Sequence, residues 1–151
     1  MTGNPLGKTT TFDLIVYPPC PVPIAATDDG STVQTLHRFR DEVMRQSPDR
    51  RRYVELFYRH AWEGSRILLA DPGLRSRVAA MLSRFRPVFV AAIDRRPATL
   101  NAADVNDIDA LIQAFMGASG HALRADLGQI RQRLRDGALP ATFGIHLADS
   151  R

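Results

Sequence analysis

Between Ser31 and Gly137 the apolar residues recur at three- and four-residue steps, segment after segment. No other feature constrains the fold as much. Residues three and four apart share one face of an α-helix, whereas a strand alternates its faces at every residue. Val33, Leu36, Phe39 and Val43 mark a first helix, with Ser31 or Thr32 placed to cap it. Ser47-Pro48 opens a second, a capping hydroxyl followed by proline at the first helical position. Its apolar set is Val54, Phe57, Tyr58, Ala61 and Trp62, and Gly64 is placed to kink it before Ile67-Leu68-Leu69. Asp71-Pro72 repeats the cap-then-proline signal, and Leu74, Val78, Met81, Leu82 and Phe85 follow in a third helix. Pro87 should bend or split that helix, because an interior proline loses a hydrogen bond and crowds the preceding turn. Val88 to Ile93 is nearly all apolar and reads as buried.

After a break at Arg95-Arg96-Pro97, Asn101 caps a fourth helix with Asp104 in its first turn. Val105, Ile108, Leu111, Ile112, Phe115 and Met116 form its stripe, and Gly117 is its expected stop. Ser119 is the expected cap of a fifth helix, carried by Leu123, Leu127, Ile130 and Leu134 and ended by Gly137. Five helices with short connections predict an antiparallel helical bundle over residues 31–137. The flanks differ. Thr9 to Tyr17 is β-branched and aromatic and reads as a strand. Pro18, Pro19, Pro21 and Pro23 then predict an extended arm ending in the turn Asp28-Asp29-Gly30, so residues 1–30 form an arm with one strand. In the tail, residues 138–151, Phe143, Ile145 and Leu147 alternate with polar or small positions, which suits a short strand whose natural partner is Phe12 to Val16. All three parts are expected to make one structural domain, mainly α.

Composition narrows the class. The chain has 151 residues and a single cysteine, so it holds no internal disulfide framework. Its 44% hydrophobic content and net charge of +4 argue for a globular chain rather than a disordered one. No apolar run approaches the ~20 residues that span a bilayer. Met1 to Lys8 is polar with no apolar stretch behind it, which predicts a cytoplasmic protein. Lys8 is the lone lysine, so 19 of the 20 basic residues are arginine. Carboxylates are interleaved with them, as in Arg38, Arg40, Asp41 and Glu42, a pattern typical of solvated helix faces.

Cys20, Ile24-Ala25-Ala26-Thr27, Gly30-Ser31 and Leu36-His37-Arg38-Phe39-Arg40-Asp41 together resemble the CFI-box C-terminal helical domain of bacterial proteins. Tyr53, Phe57-Tyr58-Arg59 and Leu74-Arg75 extend the resemblance to about residue 82. Pro21-Val22-Pro23 stands where the family has an aromatic-aliphatic pair, and the spacing from Cys20 to Ser31 is longer. The resemblance implies an accessory or anchoring module, with Cys20, Leu36, Phe39, Arg40 and Asp41 as its signature.

No phosphate loop, dinucleotide-binding turn or nucleophile elbow is present, which leans away from an enzyme, and no cofactor is expected. The expected activity is a non-enzymatic interaction or assembly module acting through a protein partner or self-association. Tyr53, Phe57, Tyr58 and Trp62 cluster on one helix, with Tyr53, Phe57 and Trp62 roughly on one side. They read either as bundle core or as an aromatic interface patch, joined by Phe12 and Tyr17 of the arm. A first alternative is an Arg-mediated nucleic-acid binder using Arg50, Arg51, Arg52, Arg131, Arg133 and Arg135. A second is a small enzyme or metal binder using Cys20, His37, His60 and Glu63, since His60 and Glu63 sit three apart on one helix face. A nucleophilic Cys20 would need a neighbouring cation, imidazole or helix N-terminus to lower its pKa.

Overall fold

The computed structural model describes residues 20–26 and 29–148. Among them are eight α-helices and two three-residue strands, so the fold is mainly α with a parallel two-stranded mini-sheet. In chain order these are α1 (Pro21–Ala25), α2 (Gly30–Glu42), a 3-10 turn (Met44–Gln46), α3 (Pro48–Arg59), α4 (Ala61–Ala70), α5 (Pro72–Ile93), β1 (Ala98–Leu100), α6 (Ala102–Ala118), α7 (His121–Arg135), α8 (Ala138–Thr142) and β2 (Ile145–Leu147). The strand expected over Thr9–Tyr17, and with it Phe12 and Tyr17, lies outside the described residues.

Local signals set most helix ends. Ser47 Oγ accepts the Arg50 N–H with Pro48 at the first helical position, and Asp71 Oδ1 accepts the Leu74 N–H at 2.9 Å. Asn101 and Asp104 form a reciprocal capping box, each side chain taking the other's backbone N–H at 2.9 Å. Gly137 closes α7 in the left-handed region at φ 77, a backbone that glycine adopts without a Cβ penalty.

Several expectations change. Pro21–Ala25 is a helical turn and not part of an extended arm: Pro21 starts it, and buried Ala25 packs on α4. The cap of α2 is Asp29 and not Ser31 or Thr32; its carboxylate takes the Thr32 N–H at 3.1 Å and the Ser31 and Thr32 hydroxyls. The second helix breaks at His60, not at Gly64. Gly64 is buried inside α4, where a Cβ would make only an ordinary contact with the Pro21 ring of α1, at 3.8 Å. The third helix runs through Pro87 without a split. The missing hydrogen bond costs about 3 kcal/mol. Phe85 and Ile93 are buried on either side and Val88 and Phe89 pack between them, each contributing roughly 1.5–3 kcal/mol, so packing outweighs the break. α6 ends at Ala118, one residue past Gly117, and Ser119 closes α6 rather than capping α7. Gly120 takes the N-cap place, and its N–H donates to Glu63 Oε1 of α4 at 2.6 Å.

The tail forms a helical turn, α8, before its strand. β2 pairs in parallel with β1, Ala98 opposite Ile145 and Leu100 opposite Leu147, and the Ala148 N–H extends the ladder to the Leu100 carbonyl at 2.8 Å. Pairing of the tail with Phe12–Val16 lies outside the described residues. Strands this short are unstable alone. Here Ala98, Leu100 and Ile145 are buried against Phe85, Met81, Val105 and Ile108. A second cluster joins Ala25, Ile67, Leu68, Leu74 and Leu123, and a third joins Phe39, Val43 and Ile93. No helix among the described residues is long and apolar enough to cross a membrane.

Candidate functional site

The helical stripes do not all close on one another. Leu36 and Phe39 of α2, Val54 and Leu56 of α3, Val78 and Leu82 of α5, Leu111 and Phe115 of α6, and Leu127 and Ile130 of α7 line a half-open central cleft of about 490 Å³. Close-packed interiors leave few voids larger than a water molecule. An apolar hollow offers water too few partners to fill it well. A cleft of this size and lining is therefore suited to apolar groups from outside it.

A few polar groups stand in the wall. His60, at the α3–α4 break, shares a 2.7 Å hydrogen bond with Asp126 of α7, and Arg59 reaches the same carboxylate oxygen at 4.0 Å. The break and this bond belong together: leaving helical geometry at His60 lets the ring reach across to α7. Arg40 is held twice, by a fork of 2.8 Å bonds to Asp41 and by a 2.8 Å bond to the Tyr58 hydroxyl. The Asp41 carboxylate raises the Arg40 pKa and is itself held below its ordinary range by Arg40. Cys20, a free thiol, and His37 also border the cleft.

The residues singled out in the sequence converge here. Cys20, Leu36, Phe39 and Arg40 line the cleft, and Asp41 braces Arg40 from outside it. Tyr53, Phe57 and Tyr58 line it too. Phe57 and Tyr58 remain 37% and 39% exposed, so they are not sealed core. Trp62 falls beyond the break, on the first turn of α4, at 59% exposure; the expectation that it continues the α3 face fails because the helix does not continue. His60 and Glu63 receive separate partners, Asp126 and the Gly120 N–H. No group of three or more His, Cys, Asp and Glu side chains that could hold a metal ion lies together among the described residues.

Four of the six arginines singled out likewise have separate partners. Arg50 donates to the Thr142 carbonyl at 2.7 Å, Arg51 to the Arg45 carbonyl at 3.3 Å, and Arg52 lies 4.9 Å over the Tyr53 ring. Arg131 grips Asp109 at 2.6 and 3.2 Å, which holds that carboxyl below its ordinary range. Arg133 keeps its Nε buried without a partner, and Arg135 is exposed in the last turn of α7. Sequence reasoning missed Asp126 and the cleft roles of Leu111, Leu127 and Ile130. Their spacing is that of any core stripe, so periodicity carries no sign of the hollow. No family model, no curated protein and no solved structure matches this chain.

Proposed function

We propose that the chain is a non-enzymatic protein-interaction module, an antiparallel helical bundle working in the cytoplasm and akin to the CFI-box domain, whose central cleft receives one face of an amphipathic helix from a partner protein. The observation that carries this reading is the apolar cleft with Phe57 and Tyr58 exposed at its edge. Anchors spaced one helical turn apart enter such a groove, and each Å² of apolar surface removed from water contributes about 25 cal/mol. Aromatic and arginine side chains dominate binding hot spots, and Arg40 and Tyr58 already form a braced pair there. Arg59 is 64% exposed beside the cleft and only loosely paired with Asp126 at 4.0 Å, which suits a partner helix with an acidic outer face.

Calorimetric titration of the full chain with amphipathic helical peptides, acidic on the polar face, tests this. Saturable binding is expected, weakened at least tenfold by Phe57→Ala or Tyr58→Ala. A second reading has its own support: about 490 Å³ lies within the range of small-molecule sites. A long-chain amphiphile that saturates the cleft while no peptide binds would replace the first reading with that one.

A further inference from the structure

A second cleft, of about 530 Å³, lies where the C-terminus of α5 meets the end of α2, the start of α3 and the turn before β2. Val43, Ile93, Pro97 and Phe143 give it an apolar floor, and Arg50, Arg95, Arg96 and His146 stand around it. Its one lining carboxylate, Glu42, is engaged by Arg38 at 2.9 and 3.3 Å. Asp94 takes one bond from Arg96, at 3.0 Å. Arg50 uses its Nε on the Thr142 carbonyl, which leaves its two terminal nitrogens for other acceptors.

Arg95 is the telling residue. α5 ends in a full Schellman motif: the Arg96 N–H donates to the Ala91 carbonyl at 2.8 Å and the Arg95 N–H to the Ala92 carbonyl at 3.2 Å. That motif puts Arg95 in the left-handed region, φ 56, the only non-glycine residue so placed among those described. Glycine or asparagine suits that position, and a longer side chain there is strained. A cation can complement the end of a helix from the last turn without that strain. Arg95 lines the cleft, and its guanidinium has no partner among the described residues. The helix end itself opposes an anion with about half a unit of negative charge and Asp94 offsets Arg96, which leaves the Arg50 and Arg95 charges without a carboxylate partner.

We propose that this cleft binds a small organic phosphate, its phosphoryl group held by Arg50, Arg95 and Arg96 and its apolar portion laid on Phe143 and Val43. Guanidinium forks match phosphate oxygens two at a time, and three of them offer more donors than a single carboxylate can accept. A nucleic-acid surface fits less well, because Arg131 is committed to Asp109, and Arg51 and Arg52 to their own helix and its preceding turn. The site is separate from the central cleft and does not depend on its occupant.

Titration of the full chain with phenyl phosphate at low salt tests the site, with inorganic phosphate and benzoate as comparisons. Saturable one-to-one binding of phenyl phosphate is expected, several-fold tighter than either comparison. Arg95→Gly should melt no lower than the parent, because it relieves the left-handed strain, yet bind phenyl phosphate at least tenfold more weakly. Arg96→Gln should weaken it severalfold. Binding unchanged in Arg95→Gly, or no saturable binding in the parent, overturns the proposal. So does salt-sensitive binding of a single-stranded oligonucleotide that Arg95→Gly abolishes and phenyl phosphate fails to compete.

Discussion

Helices α5 and α6 each pass through two environments. Toward the sheet, Phe85, Met81 and Val88 of α5 and Val105 and Ile108 of α6 close on Ala98, Leu100 and Ile145. On the neighbouring face of the same turns of α5, Val78, Leu82 and Phe89 look onto the central cleft, and about one turn further along α6 so do Leu111, Ile112 and Phe115. The stripes are equally apolar in both places. What differs is the opposing element: a pair of strands fills the space on one side, and nothing of comparable bulk among the described residues fills it on the other. Periodicity therefore tells which face of a helix turns inward, and leaves open whether anything meets that face.

Substitutions can break this contrast. The largest effect is expected on the closed side: Phe85→Ala, at a 7% exposed residue, should cost about 4 kcal/mol in urea unfolding, since it removes buried area and leaves a cavity. Ile112→Ala, beside the cleft, should cost about 1 kcal/mol. Equal losses would mean that the two sides are packed alike. Overpacking sharpens the same contrast. Leu100→Phe has no room and should cost about 2 kcal/mol, whereas Leu127→Phe has the cleft to enter and should stay within about 0.5 kcal/mol while reducing uptake of an apolar dye. At the turn that leads to the sheet, Gly137→Ala should cost about 1 kcal/mol, because φ is 77 and the new Cβ would meet the Leu147 methyl at 3.3 Å.

The smallest effect concerns pH. Hydrogen bonds from Ser31 and then Thr32 pull the Asp29 pKa from 3.8 down to about 2. The folded state thus binds this proton less readily than the unfolded chain does. The contribution is present above pH ~4 and is lost as pH falls toward ~2. Asp29→Asn keeps a capping oxygen, so it should change the thermal midpoint little at pH 7 and flatten its acid dependence in that window.

Much of the frame was legible because its causes are local. Ser47-Pro48, Asp71-Pro72, Asn101 with Asp104, and Gly137 act within one helical turn, and each marks the end it predicts. The misses have distant causes. The break at His60 answers to Asp126, the cap of α7 to Glu63, the unbroken passage through Pro87 to the packing around it, and β1 to a strand on the far side of three helices. The candidate site divides the same way. Phe39, Arg40, Tyr53, Phe57 and Tyr58 can be picked out one by one, but the hollow they share exists only once seven helices are assembled.

The parallel ladder also bears on the order of assembly. β1 precedes α6 and β2 follows α8, so every rung joins segments separated by three helices. Closing so long a loop is entropically unfavourable until the intervening helices are compact, which makes the ladder a late event on the folding route. Residues Ile145–Leu147 then act as a latch. Chains that have not yet docked them leave Ala98, Leu100 and Phe85 uncovered, an opening that amide hydrogen exchange would register as the first part of the molecule to come undone.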